Sequence, residues 1–313
     1  MNIIPIAFAF DNNLTMPAAV AFTSLLKNAS SETFYDIYIL HSEKERLDKV
    51  FLSKVAEEFH NCKINYVLVG DTFDSAFEIR GITIAAYYRL LIPKLIPQYD
   101  KIIYADVDII FQSDLSTLYS IDLGSNYLAA TKDLGLNLSE DGKKHIQTLP
   151  KVTPGNYLQS GFIMLNLALI RQDGLTDKLV EVATKKWKYQ DQDTLNIVCH
   201  DRVLFLPPKY NMTDYSFYYG IKEQANWNEL YTKQEFKEGV TDGNLHFNGH
   251  KPWRKWSVNF DIWWEYYRIS PVFDEKFYFD FYYSKLNELD QLPLMKRIKI
   301  LVRYFVYGIR KNP

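Results

Sequence analysis

The triplet Asp106-Val107-Asp108 sits between two apolar runs, residues 102–105 and 109–111. In an extended segment residues two apart point the same way, so both carboxylates converge on one side of a strand end. Held together they repel unless a cation lies between them, and hard carboxylate oxygens suit Mg2+ or Mn2+. A divalent ion carrying a diphosphate is the natural occupant. Acid-x-acid triplets also occur in plain turns, and a second segment weighs against that reading here. His246-Phe247-Asn248-Gly249-His250-Lys251-Pro252-Trp253 offers an imidazole to complete a metal shell, a glycine for close backbone approach and a lysine for a phosphate. Its bland alternative is a structural loop whose Trp253 packs. Asp191, Gln192 and Asp193 stand at a predicted helix start, where carboxylates also act as caps and dipole partners.

These groups need a scaffold that brings strand ends together. The first 130 residues alternate β-rich apolar runs with helical patterns, the signature of βαβ units on a mostly parallel sheet. Residues 3–10, 36–40, 64–69 and 101–105 read as strands. Helical spacing covers 17–26 and 43–59, the second with Leu47, Val50, Phe51, Val55 and Phe59 on one face. In such a sheet ligands sit at the carboxyl ends of strands, so the useful residues lie just after each apolar run. Residues 161–167 predict another strand, followed by a helix through about Trp187 and a second beginning near Asp191. From Val203 the pattern reads as loop-rich and aromatic, with a last short strand at 244–247.

Composition sets outer limits. In 313 residues, 36 Lys and Arg oppose 38 Asp and Glu, so the net charge of -2 offers no general attraction for nucleic acid. A hydrophobic share of 47% with 24% charged excludes a largely disordered chain. Cys62 and Cys199 are too few for a disulfide framework and predict buried thiols in a reducing, cytoplasmic compartment. The apolar start lacks the basic region of a signal segment, and no uninterrupted apolar run is long enough to predict a membrane span.

Two features are local. Of 49 aromatic residues, 27 lie from Phe205 onward and 14 between Trp253 and Tyr283. That block reads either as the core of a helical appendage or as rings that stack on an acceptor sugar. The last twenty residues carry Lys296, Arg297, Lys299, Arg303, Arg310 and Lys311 and no acid, so a +6 tail follows a body of -8. On a helix, Leu294, Met295, Ile298, Leu301, Val302, Phe305 and Ile309 fall opposite the six cations. The tail suits either an anionic membrane surface or docking on its own domain with a solvated basic face.

Taken in order, several segments resemble glycosyltransferase family 8, the retaining nucleotide-sugar transferases that include lipopolysaccharide galactosyl- and glucosyltransferases and glycogenins. They are Phe8-Ala9-Phe10-Asp11-Asn12-Asn13, Ile84-Ala85-Ala86-Tyr87-Tyr88-Arg89-Leu90, the Asp106-Val107-Asp108 triplet and Ser160-Gly161-Phe162-Ile163-Met164-Leu165-Asn166. Tyr189-Gln190-Asp191-Gln192-Asp193 and the His246 to Trp253 segment complete the set. The resemblance implies a Rossmann-like α/β nucleotide-sugar domain of the GT-A type over residues 1–255. A smaller aromatic-rich helical region ending in the basic tail would then occupy 256–313. It implies metal ligation, usually of Mn2+, by Asp106, Asp108 and His246, and uridine contacts from Asp11 and Asn13. Gly249 and Lys251 match the diphosphate contacts, and Arg89, Ser160, Gly161, Asp191 and Gln192 match the donor-sugar pocket. Three departures stand out: Leu14 where an aromatic often stacks on uracil, Gln159 where asparagine is common, and a one-residue shorter Gly249–Lys251 spacing.

The implied activity is transfer of a hexose, galactose or glucose, from a UDP-sugar to a glycan or lipid-linked glycan, with retained configuration and a bacterial surface polysaccharide or lipopolysaccharide as the setting. Asp191 and Gln192 are the candidate catalytic residues. A double displacement needs a nucleophile, and the amide of Gln192 is a poor one, which favours front-face transfer. The cytoplasmic location then extends to the inner face of the membrane through the tail. A self-glycosylating primer of the glycogenin kind and a non-catalytic nucleotide- or glycan-binding protein are the alternatives.

Overall fold

A computed structural model describes residues 2–42, 47–73, 76 and 83–308. Its strands are β1 (Asn2–Ala9), β2 (Thr33–Ser42), β3 (Cys62–Val69), β4 (Lys101–Ala105), β5 (Ile109–Ile110), β6 (Leu128–Lys132), β7 (Leu158–Asn166), β8 (Val203–Phe205), β9 (Met212–Thr213) and β10 (Leu245–His246). Seven form the central sheet in the order β3-β2-β1-β4-β7-β6-β8, and β5-β10-β9 form a small second sheet. In the central sheet only β7 runs antiparallel to its neighbours β4 and β6, so the fold is the expected mostly parallel α/β arrangement.

Alternation along the strands builds a core on each face. Ile4, Ile6 and Phe8 of β1, with Ile37 and Ile39 of β2 and Ile103 of β4, enter one core. Ala7, Tyr38, Leu40, Ile102 and Tyr104 enter the other. Such two-sided burial is what near-continuous apolar runs accomplish in a parallel sheet. On the first face lies helix Thr15–Lys27, in which Ala18, Ala19 and Ala21 are fully buried. Helix Phe260–Arg268 packs on its outer side. The 3-10 segment Ile84–Leu91 and helix Gln190–Cys199 cover the second face.

The structure departs from the sequence expectations in three places. The second helix runs Val50–Glu58, directs Leu52 and Val55 inward and leaves Val50 58% exposed. The expected start of that helix, residues 43–46, lies outside the described residues. The stretch after Val203 is helical at Asp214–Lys222, Gln224–Trp227 and Lys233–Asp242 rather than loop-rich. Thr232 and Glu235 form a capping box at the third of these, a Thr-x-x-Glu signal that the sequence displays. Strand β6 was also not anticipated, and it carries Asp133 at its end.

Much of the aromatic block resolves into core, while Phe273, Phe277, Phe279 and Tyr283 are exposed. Trp253, Phe260, Trp263, Trp264, Tyr267 and Phe281 are buried and share one apolar cluster with β1 and helix Thr15–Lys27. Trp263 stacks on Tyr267 at 5.6 Å with ring planes 8° apart. Each large ring buried in this way stabilises by roughly 1.5–3 kcal/mol relative to exposure. Cys62 and Cys199 are free thiols, and burial pushes the Cys199 thiol up to about 12.

Beyond this block, helix Leu294–Gly308 lies near helix Asp214–Lys222. Its Leu294, Met295, Ile298, Leu301, Val302 and Phe305 are each at least 43% exposed. The side chain of Arg303, and residues Arg310, Lys311 and Ile309, fall outside the described set. No helix among the described residues is long and apolar enough to cross a membrane.

Candidate active site

Sheet order places the site. Asp106 follows β4 at the centre, Asp11 follows β1 on one side, and Asp133 follows β6 on the other. Because β7 is antiparallel, its amino end lies at the carboxyl edge of the others. Gln159 and Ser160 therefore stand beside the end of β4, where Asp106 N–H donates to Gly161 O at 2.8 Å. A cavity of about 1060 Å3 opens along this edge, bordered by Asp11, Arg89, Asp106, Asp108, Asp191, Gln192, His246, Gly249 and Lys251 among others. A smaller one of about 260 Å3 adjoins it near Asp11, Asn12, His41 and Tyr88.

The carboxylate pair and the imidazole do meet. Ligand atoms of Asp106, Asp108 and His246 lie within 4.8 Å of one another. His246 Nε2 is 3.2 Å from Asp108 Oδ1 and 3.8 Å from Asp106 Oδ2. Only glycine fits beside them: a Cβ on Gly161 would stand 2.4 Å from His246 Cε1 and 2.7 Å from Asp106 Oδ2.

A hydrogen-bonded chain fixes the imidazole. Gly161 N–H donates to Gln159 Oε1 at 2.7 Å, and a backbone N–H can only donate, so the orientation of that amide is set. Asn211 Nδ2 donates to the same oxygen at 2.6 Å, which leaves Asn211 Oδ1 facing His246 Nδ1 at 2.8 Å. In the neutral ring Nδ1 therefore carries the proton, and the Nε2 lone pair turns toward the carboxylates. Asp108 Oδ1 is buried and receives no hydrogen bond. Three acceptors of oxygen and imidazole type, one of them orphaned in the interior, fit Mn2+ or Mg2+. The orienting amide on the far nitrogen is the usual support of a metal-binding histidine.

Beside this trio stands a buried ionic cluster. Arg89 is 5% exposed, with Nη2 at 2.9 Å from Asp106 Oδ1 and Nε at 3.2 Å from Asp191 Oδ2. Its Nη1 donates to Ser160 O at 2.6 Å, and the guanidinium lies 4.2 Å from the centre of the Tyr104 ring. Burial alone would lower the Arg89 pKa, but Asp106 and Asp191 raise it above its ordinary value. Burial raises the Asp191 carboxyl even though Arg89 opposes the shift. Burial would raise Asp108 as well, yet the Lys251 ammonium and His246 hold it well below the usual carboxylate range. Lys251 forms a close ion pair with Asp108 and donates to Phe247 O at 2.8 Å.

Gln192 is held at both ends of its amide. Its Oε1 accepts from Ser160 N at 3.0 Å, and its Nε2 donates to Asp133 Oδ2 at 3.0 Å. Gln190, just before the pair, has φ 38°. A non-glycine residue there costs on the order of 1–3 kcal/mol, strain of the kind that collects at functional sites. Asp193 does otherwise: wholly buried, it accepts from Tyr157 OH at 2.6 Å and from Tyr189 N at 2.9 Å. The capping role foreseen for this trio thus belongs to Asp193, while Asp191 and Gln192 face the cavity.

Most of the expected residues line the cavity. Asn13 is exposed, is not among the lining residues, and gives its N–H to Asp11 Oδ1 at 2.9 Å. Gly161 forms the backing of the metal trio rather than a lining residue. Gly249 borders the cavity, and a Cβ there would lie 2.8 Å from Asp214 Oδ2. Sequence reasoning missed Asp133 and Asn211, and it marked Gln159 only as a departure from the usual asparagine. An apolar run ending in an acid, Leu128 to Asp133, was the available signal for the first; nothing local marks Asn211.

Comparison with known proteins agrees with this geometry. Residues 5–257 match the model of glycosyl transferase family 8. The chain is 30% identical over 218 residues to a putative glycosyltransferase of Haemophilus influenzae, covering 68% of this chain and 63% of that protein. It thus spans just under two thirds of that relative's length. It is 26% identical over 275 residues to a lipopolysaccharide 1,2-glucosyltransferase of Escherichia coli, covering 85% of this chain and 76% of that one. The galactosyltransferase LgtC, solved with donor and acceptor sugar analogues, superposes with a TM-score of 0.71 at 24% identity, over 87% of this chain and 98% of LgtC. That likeness is one of fold, the GT-A type of α/β sheet. The chain belongs to glycosyltransferase family 8.

Proposed function

We propose that this family 8 member transfers galactose or glucose from its UDP-sugar to a glycan or glycolipid acceptor, with retained configuration. The setting we infer is synthesis of bacterial lipopolysaccharide or another surface polysaccharide, at the cytoplasmic side of the membrane. The observation that carries the reading is the acceptor trio of Asp106, Asp108 and His246 at the carboxyl edge of the sheet, with the orphaned Asp108 oxygen and the oriented Nε2 lone pair. Relatives acting on lipopolysaccharide support the setting.

Asp106, Asp108 and His246 would hold Mn2+ or Mg2+, which when bound neutralises the departing diphosphate. Lys251 supplies a further positive charge to the phosphates once it exchanges Asp108 for them. Gly249 allows the backbone to approach the same group. The base lies toward Asp11 and the smaller cavity, where Leu14 leaves hydrogen bonds rather than stacking to hold it. The sugar lies toward Arg89, Ser160, Asp191 and Gln192. As the bond to phosphate breaks, charge develops at the anomeric carbon, and the fixed dipoles and carboxylate of this wall stabilise it without reorganising. Gln192 is an amide committed to Ser160 and Asp133, which favours attack from the face the diphosphate leaves. A glycosyl-enzyme adduct trapped and seen by mass spectrometry would overturn that step.

The uncovered apolar side of helix Leu294–Gly308, with Lys296 and Lys299 exposed elsewhere on the helix, supports an anionic membrane surface as the partner of the tail. The test of the activity is UDP release from UDP-galactose and UDP-glucose with Mn2+. The expected result is release by the native chain and loss in Asp108→Ala, and no release from either sugar would overturn the reading.

A further inference from the structure

Two aromatic side chains on the β6 side of the cavity, Tyr189 and Tyr215, line it. Of the two exposed rings on its helix, Tyr215 and Tyr218, only Tyr215 borders the cavity. Phe217 and Tyr219 of Asp214–Lys222 are buried, whereas Tyr215 is 49% exposed into the cavity. Its ring is nonetheless seated. A Cβ on Gly135 would lie 2.8 Å from its Cε2 and 2.9 Å from its Cδ2, so only glycine lets the ring rest on that backbone. Tyr219 stacks beside it, with centroids 6.2 Å apart and planes 23° apart.

Gly135 lies two residues after Asp133, which is bonded to Gln192. The ring therefore stands past the sugar wall, on the side of the metal trio away from Asp11. The donor's base is accounted for on the opposite side, toward Asp11, and the diphosphate lies between, at Lys251 and at Gly249 beside Asp214. Tyr189, Lys188 and Glu140 border the same end, so hydroxyl partners surround the ring. A pyranose presents an apolar C–H face and a polar rim, and an amphipathic ring flanked by polar groups matches both.

We propose that Tyr215, seated on Gly135, is the stacking platform for a neutral pyranose ring of the acceptor. This rests on the glycosyl-transfer reading above and assigns the acceptor side of that site. The ring fixes which face of the acceptor sugar meets the wall, and so which hydroxyl reaches the anomeric carbon.

The test combines three variants with two readouts on the full chain. Saturation-transfer NMR would use methyl β-galactoside, methyl α-glucoside and methyl β-lactoside as probes with protein loaded with UDP and Mn2+. Acceptor-free UDP release from UDP-galactose and UDP-glucose reports the donor site separately. Saturation of at least one glycoside by the native chain is expected, reduced at least fivefold in Tyr215→Ala, retained in Tyr215→Phe, and reduced in Gly135→Ala, which displaces the ring. UDP release should fall by a factor at least five times smaller than the loss of glycoside saturation. Saturation of none of the glycosides, equal saturation in Tyr215→Ala, or an equal fall in both readouts would overturn the proposal. Absence of UDP release by the native chain would instead overturn the glycosyl-transfer reading on which it rests.

Discussion

Around Arg89 at the sheet edge, the polar groups are tied down: one guanidinium serves Asp106, Asp191 and Ser160, and Asp133 accepts from Gln192. Helix Leu294–Gly308 presents the reverse, with Leu294 67% and Phe305 57% exposed and Lys296 and Lys299 at the surface. In the first region, charge is buried and every change must be answered by the fold. In the second, apolar surface is left open and a change alters an encounter instead. The contrast teaches where stability ends and association begins.

Three experiments press on that contrast, from the largest expected effect to the smallest. Arg89→Ala would strand Asp106 and Asp191 without their shared cation, and breaking a buried pair costs about 3–5 kcal/mol. Urea unfolding should show that loss, with Arg89→Lys recovering part of it; an unchanged midpoint would mean the cluster is not a structural unit. Asn211→Leu removes the orienting amide from His246, and loss of such support costs roughly 10–100-fold in metal affinity. Mn2+ titration followed by electron paramagnetic resonance reads this directly, and unaltered affinity would break the assigned tautomer. Lys296→Glu and Lys299→Glu together should leave the thermal midpoint in place, since exposed substitutions cost little. Binding to phosphatidylglycerol vesicles in a sedimentation assay should fall roughly fivefold for each cation removed. A shift in stability instead would show that the tail docks on its own domain.

Much of this was legible in the chain itself because it is encoded locally. Strand β4 ended at Ala105 as read, since an apolar run meeting two acids leaves little alternative. Helix Thr15–Lys27 and strand β1 were likewise found within a few residues, for their periodicity is strong. Helix Val50–Glu58 was found with its inward face, since Leu47, Phe51, Val55 and Phe59 pack on the core; only Val50 is exposed and Leu52 buried in its stead, because the two are interchangeable by composition and only packing chooses between them. Asp133 and Asn211 escaped because their partners, Gln192 and His246, lie 59 and 35 residues away.

By itself, the sequence determined the chemistry available: two acids at a strand end, a distant His-x-x-Gly-x-Lys segment, and a basic amphipathic tail. Tertiary structure decided which groups meet and which way they face. The antiparallel β7 brought Gln159 and Ser160 to the edge where Asp106 ends, and Gly161 left room for His246 to close on it. Tertiary packing also divided the aromatic residues, sending Trp253, Phe260, Trp263, Trp264, Tyr267 and Phe281 inward, leaving Phe273, Phe277 and Phe279 exposed, and setting Tyr215 at the cavity. Residue type sets the affinity of a ring for apolar surroundings, but only the surrounding elements determine whether those surroundings are core or open cavity.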